Sequence, residues 1–130
     1  MGHANVDLVR EGYATFGKGD FESLRDHFFA PDVIWHYAGR SQLGGHYHGV
    51  DEVLAWLRQI FELSEGTLRV DLHDVVGNDD HVIALTIVHA ARNGKHLTDQ
   101  GVQVFHVRQG RVTEVWTLPG DQYSSDDFWS

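Results

Sequence analysis

Apolar residues in the first half of the chain recur every three or four positions in three separate stretches, which predicts three helices. The first predicted helix ends at Gly17-Lys18-Gly19, and Asp20 is a good N-cap for a short second helix that ends at Ala30-Pro31-Asp32. A third helix is predicted from Asp51, as its cap, to about Ser64. The apolar positions that define these helices are Val6, Val9, Tyr13, Phe16; Phe21, Leu24, Phe28; and Val53, Leu54, Leu57, Ile60 and Phe61.

The rest of the chain has the composition of strands. One strand is predicted from Val33 to Tyr37, and runs rich in Val, Ile, Thr and Leu follow residue 66. Three turn signals divide these runs, and Asn93-Gly94 is the strongest because a type I′ hairpin needs positive φ at both central positions. We therefore predict an antiparallel meander of four strands, joined by the Val33–Tyr37 strand. The order of elements indicates α+β, with residues 1–130 in a single domain.

The predicted strand 81–92 is apolar on both faces. One face carries Val82, Ala84 and Val88, and the other carries Ile83, Leu85 and Ile87. Three helices cover only one face of an antiparallel sheet, so the second face needs a partner, and a homodimer is the simplest one. The alternative is a sheet curled enough to cover itself.

Composition narrows the classes of function. The chain has 130 residues, 42% hydrophobic and 22% charged, and no apolar run long enough for a membrane span. It has no cysteine, which excludes disulfides and thiol chemistry and is compatible with the cytoplasm, where we expect the protein to reside. A formal charge of −9 without a basic cluster argues against nucleic acid and membrane surfaces as partners. An uncharged or cationic small molecule is easier to accommodate.

The segment Pro31–Gly49 is the most informative one for chemistry. His36 interrupts an apolar strand, on the same face as Ile34, and a glycine-rich loop containing His46 and His48 follows. An imidazole beside a flexible polar loop suits a small-molecule pocket, although a core histidine with a backbone or hydroxyl partner is the alternative. The His46-x-His48 pair also suggests zinc, but its position in a loop without a compact third ligand leads us to expect no metal. The preferred interpretation is that His46 and His48 border the pocket.

Three stretches together resemble a known family. They read GYATFGKGDFESLRDHFFAPDVIWHYAG, GVDEVLAWLRQIF and VFHVRQGRVTEVW. The chain is similar over nearly its whole length to the SnoaL-like branch of the nuclear transport factor 2-like superfamily, which includes the ketosteroid isomerases and limonene epoxide hydrolases. The resemblance implies a cone-shaped fold, a cystatin-like α+β barrel in which a strongly curved, mostly antiparallel sheet wraps around three helices from the N-terminal half. It also implies a deep apolar pocket and a homodimer.

The resemblance implies roles for three polar residues. His36 occupies the position of the isomerases' general-base aspartate, and a neutral imidazole in an apolar pocket suits a base near neutral pH. Gln103 occupies the position of a protonated aspartate that donates to the developing oxyanion, although it is equally a polar strand residue. Asp99 shares the strand face of Gln103, with Gly101 between them, and either orients His36 or supplies acid, or else is exposed near the Asn93-Gly94 turn. These replacements of carboxylates argue against steroid isomerase activity itself.

A second group of residues is expected to contact the substrate. Tyr13 lies one helix position from the isomerases' oxyanion tyrosine, so its ring is expected to line the pocket. The remaining expected substrate contacts are Ile34, Tyr47, Phe105 and Trp116. At the C-terminus, Phe128 and Trp129 are expected to dock on the protein's own surface or on a dimer partner, and closure of the tail over the pocket is a further alternative.

The leading functional prediction is a cofactor-independent enzyme that transfers a proton in a small, largely apolar or aromatic substrate. Isomerisation, aldol-type cyclisation and epoxide opening all fit this description. A binding module with the same pocket but no turnover, and a dimerisation domain with a filled pocket, are the alternatives. The scaffold hosts all of these functions, so the fold alone does not choose among them.

Overall fold

The computed structural model describes residues 3–130, and of His3 only the backbone. The helices are α1 (His3–Gly17), α2 (Phe21–Ser23), α3 (Val50–Leu63) and α4 (Gln122–Trp129), and α2 continues into a π-helical turn, Leu24–Phe28. The strands are β1 (Phe29–Tyr37), β2 (Gly45–His48), β3 (Arg69–Gly77), β4 (His81–Arg92), β5 (Lys95–Arg108) and β6 (Arg111–Leu118). No helix among these residues is long and apolar enough to cross a membrane.

The six strands form one sheet in the order β2-β1-β6-β5-β4-β3. Strands β3 to β6 form the predicted antiparallel meander, and β1 joins it by pairing parallel to β6. Asn93 and Gly94 have φ values of 51° and 75°, as the predicted hairpin turn requires. The α+β prediction is confirmed, but the sheet is open rather than closed into a barrel, because β2 and β3 remain at its two edges.

The helices pack against one face of the sheet, which we call the inner face, and nothing else among residues 3–130 covers the outer face. Along β4, Val82, Ala84 and Thr86 are buried on the inner side, whereas Ile83 and Leu85 are 39% and 37% exposed on the outer side. This alternation is that of a sheet with one covered face. The prediction that the helices leave one apolar face of the sheet open is therefore confirmed.

Three element boundaries differ from the sequence-based predictions, and the first is the start of β1, which lies at Phe29 rather than Val33, so that Ala30-Pro31-Asp32 belong to the strand. Helix α3 begins at Val50, after Gly49 with φ 86°, so Asp51 is not the cap but lies in the first turn, where a carboxylate still favours the helix dipole. His46 and His48 belong to strand β2 rather than to a loop, because their segment pairs antiparallel with β1. Backbone pairing with a neighbouring strand overrides the glycines on both sides.

The C-terminal segment forms a fourth helix that the sequence pattern did not indicate. The Asp121 side chain caps α4 by accepting a hydrogen bond from the Ser124 backbone N–H at 3.1 Å. Phe128 and Trp129 are buried in the core of the same chain, which agrees with the first of the two docking positions expected for them.

Candidate functional site: an apolar cavity with one polar wall

A cavity of about 100 Å³, partly open to solvent, lies between the helices and the inner face of the sheet. Every helix except the single turn α2 contributes to its lining, as does every strand except β2. Half of the residues that line it are aromatic, among them Phe16, Phe28, Trp35, Trp56, Phe105 and Trp129. Among the described residues that line it, none is an Asp, Glu, His, Lys or Arg. The site therefore presents an uncharged, largely apolar surface to a ligand.

Four side chains form a polar wall in this cavity: Tyr13, Trp35, Gln103 and Thr117. The Tyr13 hydroxyl donates to Gln103 Oε1. Gln103 Nε2 donates to Thr117 Oγ1 at 2.9 Å, and Trp35 Nε1 donates to the same hydroxyl oxygen at 2.9 Å. Residues from α1, β1, β5 and β6 thus meet in one hydrogen-bonded chain.

The numbers of donors and acceptors in this wall leave hydrogen-bonding capacity for a ligand. A threonine hydroxyl has two lone pairs and one proton, and Thr117 Oγ1 already accepts two bonds. Its proton is therefore available to an acceptor atom in the cavity, while the oxygen of Tyr13 can accept from a donor. If the Gln103 amide turns by 180°, the two ends exchange roles, and Tyr13 presents the proton instead. In either orientation the wall presents one hydroxyl donor and one oxygen acceptor.

Burial raises the pKa of Tyr13 far above that of an ordinary tyrosine, because a phenolate in this cavity would be poorly solvated. The phenol therefore stays protonated at neutral pH. The folded state holds this proton more tightly than the unfolded chain does. The resulting stabilisation is fully present below the unfolded pKa of about 10 and decreases as pH rises above that value.

Tyr13→Phe is accordingly expected to reduce the loss of stability in alkali. Above pH of about 10, the free energy of unfolding should fall more steeply in the parent protein, by up to about 1.4 kcal/mol per pH unit. Burial also raises the pKa of Tyr37 and Tyr47, so some pH dependence should remain in the variant. Urea unfolding at a series of alkaline pH values measures both slopes. Equal slopes would contradict the assignment to Tyr13.

His36 lies on the outer face of the sheet, on the side opposite to the cavity. Trp35 and Tyr37, its neighbours in β1, line the cavity, and alternation along the strand turns His36 away from it. Its ring stacks on Trp116 and contacts His46 and Glu114. The expectation that His36 lines the pocket is wrong. The alternation along β1 was predicted correctly, but the residues that face the cavity are Trp35 and Tyr37 rather than His36. Ile34 and Trp116 lie on the same outer face for the same reason.

Asp99 is buried, but it lies beside the cavity rather than in its lining. Its carboxylate accepts hydrogen bonds from the backbone N–H groups of Gly120 and Asp121, at 3.1 and 3.0 Å, and so holds the connection between β6 and α4. A Cβ on Gly101 would lie 3.1 Å from the Leu118 carbonyl oxygen. The glycine therefore makes room for the β6–α4 connection, and with Asp99 it lines a smaller cavity of about 30 Å³ that shares Gln103 and Thr117 with the first. The expected exposure of Asp99 is also wrong.

The other predicted residues divide between the cavity and its surroundings. Tyr13, Gln103 and Phe105 line the cavity together. Tyr47 does not line it, because its ring stacks on the far side of Trp56 at 4.9 Å and its hydroxyl donates to the Leu43 carbonyl. The structure thus brings three of the predicted residues together and places the other five elsewhere.

The predicted site residues did not include Trp35, Thr117 and Trp129, although closure of the tail with Trp129 over the pocket was one alternative. Strand parity offered a signal for the first two, because Trp35 alternates with His36 and Thr117 alternates with Trp116. Trp129 lines the cavity only because α4 folds back onto the sheet, and no periodicity in the sequence indicates that contact.

An open sheet that is covered by helices on one face, with an apolar cavity between the helices and the sheet, is typical of a class of small-molecule pocket proteins. Residues 9–115 match the model of the SnoaL-like domain, and the chain belongs to that family. This confirms the predicted place of the chain among the SnoaL-like proteins.

Relatives with similar sequences span the whole chain. An uncharacterized protein of Mycobacterium tuberculosis is 37% identical over 128 residues, covering 98% of this chain and 97% of the relative. The structure of Bal32a, from a soil-derived mobile gene cassette, is 32% identical with a TM-score of 0.94, and 98% of each chain is covered. A nuclear transport factor 2-like protein from Burkholderia xenovorans shares the fold at 20% identity and a TM-score of 0.86, covering 100% of this chain and 98% of its own.

Proposed function

We propose that this protein binds a small, uncharged, largely aromatic molecule that carries at least one oxygen atom. The observation that supports this proposal best is the lining of the cavity. Aromatic rings surround one hydrogen-bonded wall, and none of the described residues that line the cavity is charged. An anionic ligand would enter without a cationic partner and against a net charge of −9, so its desolvation would go uncompensated. Its volume of about 100 Å³ is below the roughly 150 Å³ of an engineered apolar cavity that holds benzene, so a ligand is limited to a single ring, part of which extends through the open side.

A proton-transfer enzyme of the isomerase, cyclase or epoxide-hydrolase type is the second candidate. The wall of Tyr13, Gln103 and Thr117 favours it, because the one hydroxyl donor that the wall presents also stabilises a negative charge that develops on a ligand oxygen. General-base catalysis additionally needs a base within about 3 Å of the proton or one water away. His36 lies on the opposite face of the sheet, and Asp99, in the smaller adjoining cavity, has both carboxylate oxygens bonded to the backbone N–H groups of Gly120 and Asp121. The composition of the lining therefore supports binding more strongly than turnover.

Acetophenone in deuterated water distinguishes binding from turnover. A base in the cavity would remove a proton from the methyl group next to the carbonyl, and the enolate would then take a deuteron from solvent. We expect the methyl signal in the proton NMR spectrum to persist at the buffer rate while the protein still binds the ketone. Exchange accelerated by the protein, and abolished in Gln103→Leu, would support the enzyme and contradict a purely binding role.

Thr117→Val is expected to weaken acetophenone binding by about tenfold, which corresponds to about 1.4 kcal/mol, through loss of one hydrogen bond to the ligand. It should also lower the free energy of unfolding by about 1–3 kcal/mol, because Trp35 Nε1 and Gln103 Nε2 lose their shared acceptor. Thr117→Ser is the matched control, since it keeps the hydroxyl. Calorimetric titration and urea unfolding measure the two effects, and equal affinity in both variants would contradict the role of the hydroxyl.

We further propose that a second copy of the chain covers the part of the outer face formed by β3, β4 and the end of β6. Val76, Ile83, Leu85 and Leu118 are exposed there, between 37% and 52%. These side chains are uncharged, so a symmetric contact between two copies buries apolar surface without bringing like charges together. Leu85→Lys is expected to convert a dimer into a monomer when molar mass is measured by light scattering. A parent protein that is monomeric at micromolar concentration would contradict this proposal.

The absence of cysteine also motivates the proposal that the protein resides in the cytoplasm, a reducing compartment. Cell fractionation with detection of the untagged protein tests this location, and recovery from an oxidising compartment would contradict it.

A further inference from the structure

The histidines of strands β1 and β2 form a cluster on the outer face that the cavity does not use. His36 and His46 are directly opposite each other in the antiparallel pair β1–β2. Their Nδ1 atoms are 2.6 Å apart, and the other ring nitrogen of His36, Nε2, is 2.5 Å from Glu114 Oε2. The His36 side chain is 21% exposed and that of Glu114 is 30% exposed, so solvent reaches the cluster.

Glu114 determines which nitrogen of His36 is free to act as a ligand. An ionised carboxylate only accepts hydrogen bonds, so Nε2 of His36 carries a proton and donates it to Glu114. In the neutral ring, Nδ1 then has a lone pair that points at His46. A histidine that donates one ring N–H to a carboxylate and directs its other nitrogen outward is the arrangement found behind many metal-binding histidines.

His48 supplies a third imidazole on the same face. Because side chains alternate along a strand, His46 and His48 of β2 both project from the outer face, and both are exposed. This pair does not lie in a loop, contrary to the prediction from the sequence, because β2 is a strand paired with β1. Among residues 3–130 no three metal-ligating groups already surround one point, so His48 has to rotate its exposed side chain to complete the set.

We propose that His36 Nδ1, His46 and His48 bind one divalent transition-metal ion of the zinc class, with Glu114 positioning His36 from behind. Two Zn–N bonds of about 2.0–2.1 Å at a tetrahedral angle place the nitrogens about 3.3 Å apart. The pair at 2.6 Å therefore opens by about 0.7 Å when the ion replaces the shared proton. Three nitrogen ligands and water suit zinc, and they do not suit calcium or magnesium, which prefer oxygen.

This site is independent of the cavity, because the sheet separates the two. His36 and Trp35 are adjacent in β1 but project from opposite faces. Zinc binding to the histidines and acetophenone binding in the cavity can therefore be measured separately. The ion would also link the edge strand β2 to β1 at the middle of their short ladder.

Calorimetric titration of the tag-free, chelator-treated protein with zinc chloride tests the site. We expect one equivalent to bind per chain, and His36→Ala or His46→Ala to weaken binding at least a hundredfold. Glu114→Gln is expected to cost about 10–100-fold, as second-shell changes do. His96→Ala, an exposed histidine on β5, is the matched control and should bind as the parent does. Cobalt(II) provides a second measurement, since a four-coordinate ion absorbs visible light much more strongly than a six-coordinate one.

Three results would overturn the assignment. Absence of stoichiometric binding would show that the histidine pair is no metal site. Equal affinity in His36→Ala would place the ion on other histidines. Full affinity in His48→Gln, with the weak absorption of six-coordinate cobalt, would refute the three-histidine site. Circular dichroism and urea unfolding of each metal-free variant separate these results from a failure to fold.

Discussion

Phe105→Ala is expected to lower the free energy of unfolding by about 3–5 kcal/mol, the range for an aromatic residue truncated in a core. Phe105 is 2% exposed on strand β5, and its ring makes edge contacts with Tyr13, Phe28 and Trp35. It therefore joins α1, the π-helical turn and β1 across the inner face. Because whole domains are stable by only about 5–15 kcal/mol, this one change removes a large share of the total.

Urea unfolding measures this loss, and two variants control for it. Phe105→Leu retains most of the buried volume and should cost about 1.5 kcal/mol or less. Tyr123→Ala removes an aromatic ring that is 90% exposed and should change stability by about 0.5 kcal/mol at most. A loss in Phe105→Ala no larger than that in Tyr123→Ala would contradict the position of Phe105 in the core.

Arg92→Met is expected to release helix α4 and to destabilise the protein by about 3 kcal/mol, since hydrogen bonds from charged donors contribute about 1.5–3 kcal/mol each but do not add fully. Arg92 is buried, and its guanidinium donates to the backbone carbonyls of Leu63, Phe128 and Ser130 at 3.1, 3.0 and 2.7 Å. These bonds hold the end of α4 against α3 and the sheet. Because Trp129 lines the cavity, the same change should also weaken ligand binding.

Hydrogen exchange locates this effect along the chain. In Arg92→Met the amides of α4 should exchange faster than those of β5, whereas in the parent α4 is protected by its packing. Lys95→Met is the matched control, because Lys95 also donates to an α4 carbonyl, that of Asp127 at 2.9 Å, but from an exposed position. Its expected cost is below about 1 kcal/mol. Unchanged exchange of α4 in Arg92→Met would contradict the role of Arg92 as its anchor.

The elements of the fold were predictable because local signals and tertiary structure agree in most of the chain. Gly17-Lys18-Gly19 ends α1, Asp20 caps α2, and Asn93-Gly94 forms the hairpin turn, each for a reason contained in a few neighbouring residues. Helix α4 has a local signal in its Asp121 cap, but a helix of eight residues is not stable on its own. The helix is held in place by hydrogen bonds from Arg92 and by the burial of Phe128 and Trp129. Both depend on contacts with residues that are far away in sequence.

The site was predictable only in part, because a strand pattern gives alternation without saying which parity faces inward. Gln103 and Phe105 of β5 both line the cavity, because residues two positions apart on a strand project from the same face. In β1 both parities carry aromatic or apolar residues, so nothing local favours Trp35 over His36 as the inward one. The choice depends on Trp56 and Thr117, which contact Trp35 from α3 and β6.

A titration of ¹⁵N-labelled protein with acetophenone, followed through the four indole N–H signals, tests the central claim most directly. The indoles of Trp35, Trp56 and Trp129 line the cavity, whereas Trp116 stacks on His36 on the outer face and serves as the internal control. Acetophenone should shift the three cavity signals, most strongly that of Trp35 beside the polar wall, and leave Trp116 unchanged. Benzoate, with a carboxylate in place of the methyl ketone, should shift none of them. Equal binding of benzoate, or shifts confined to Trp116, would contradict a cavity that selects small uncharged molecules.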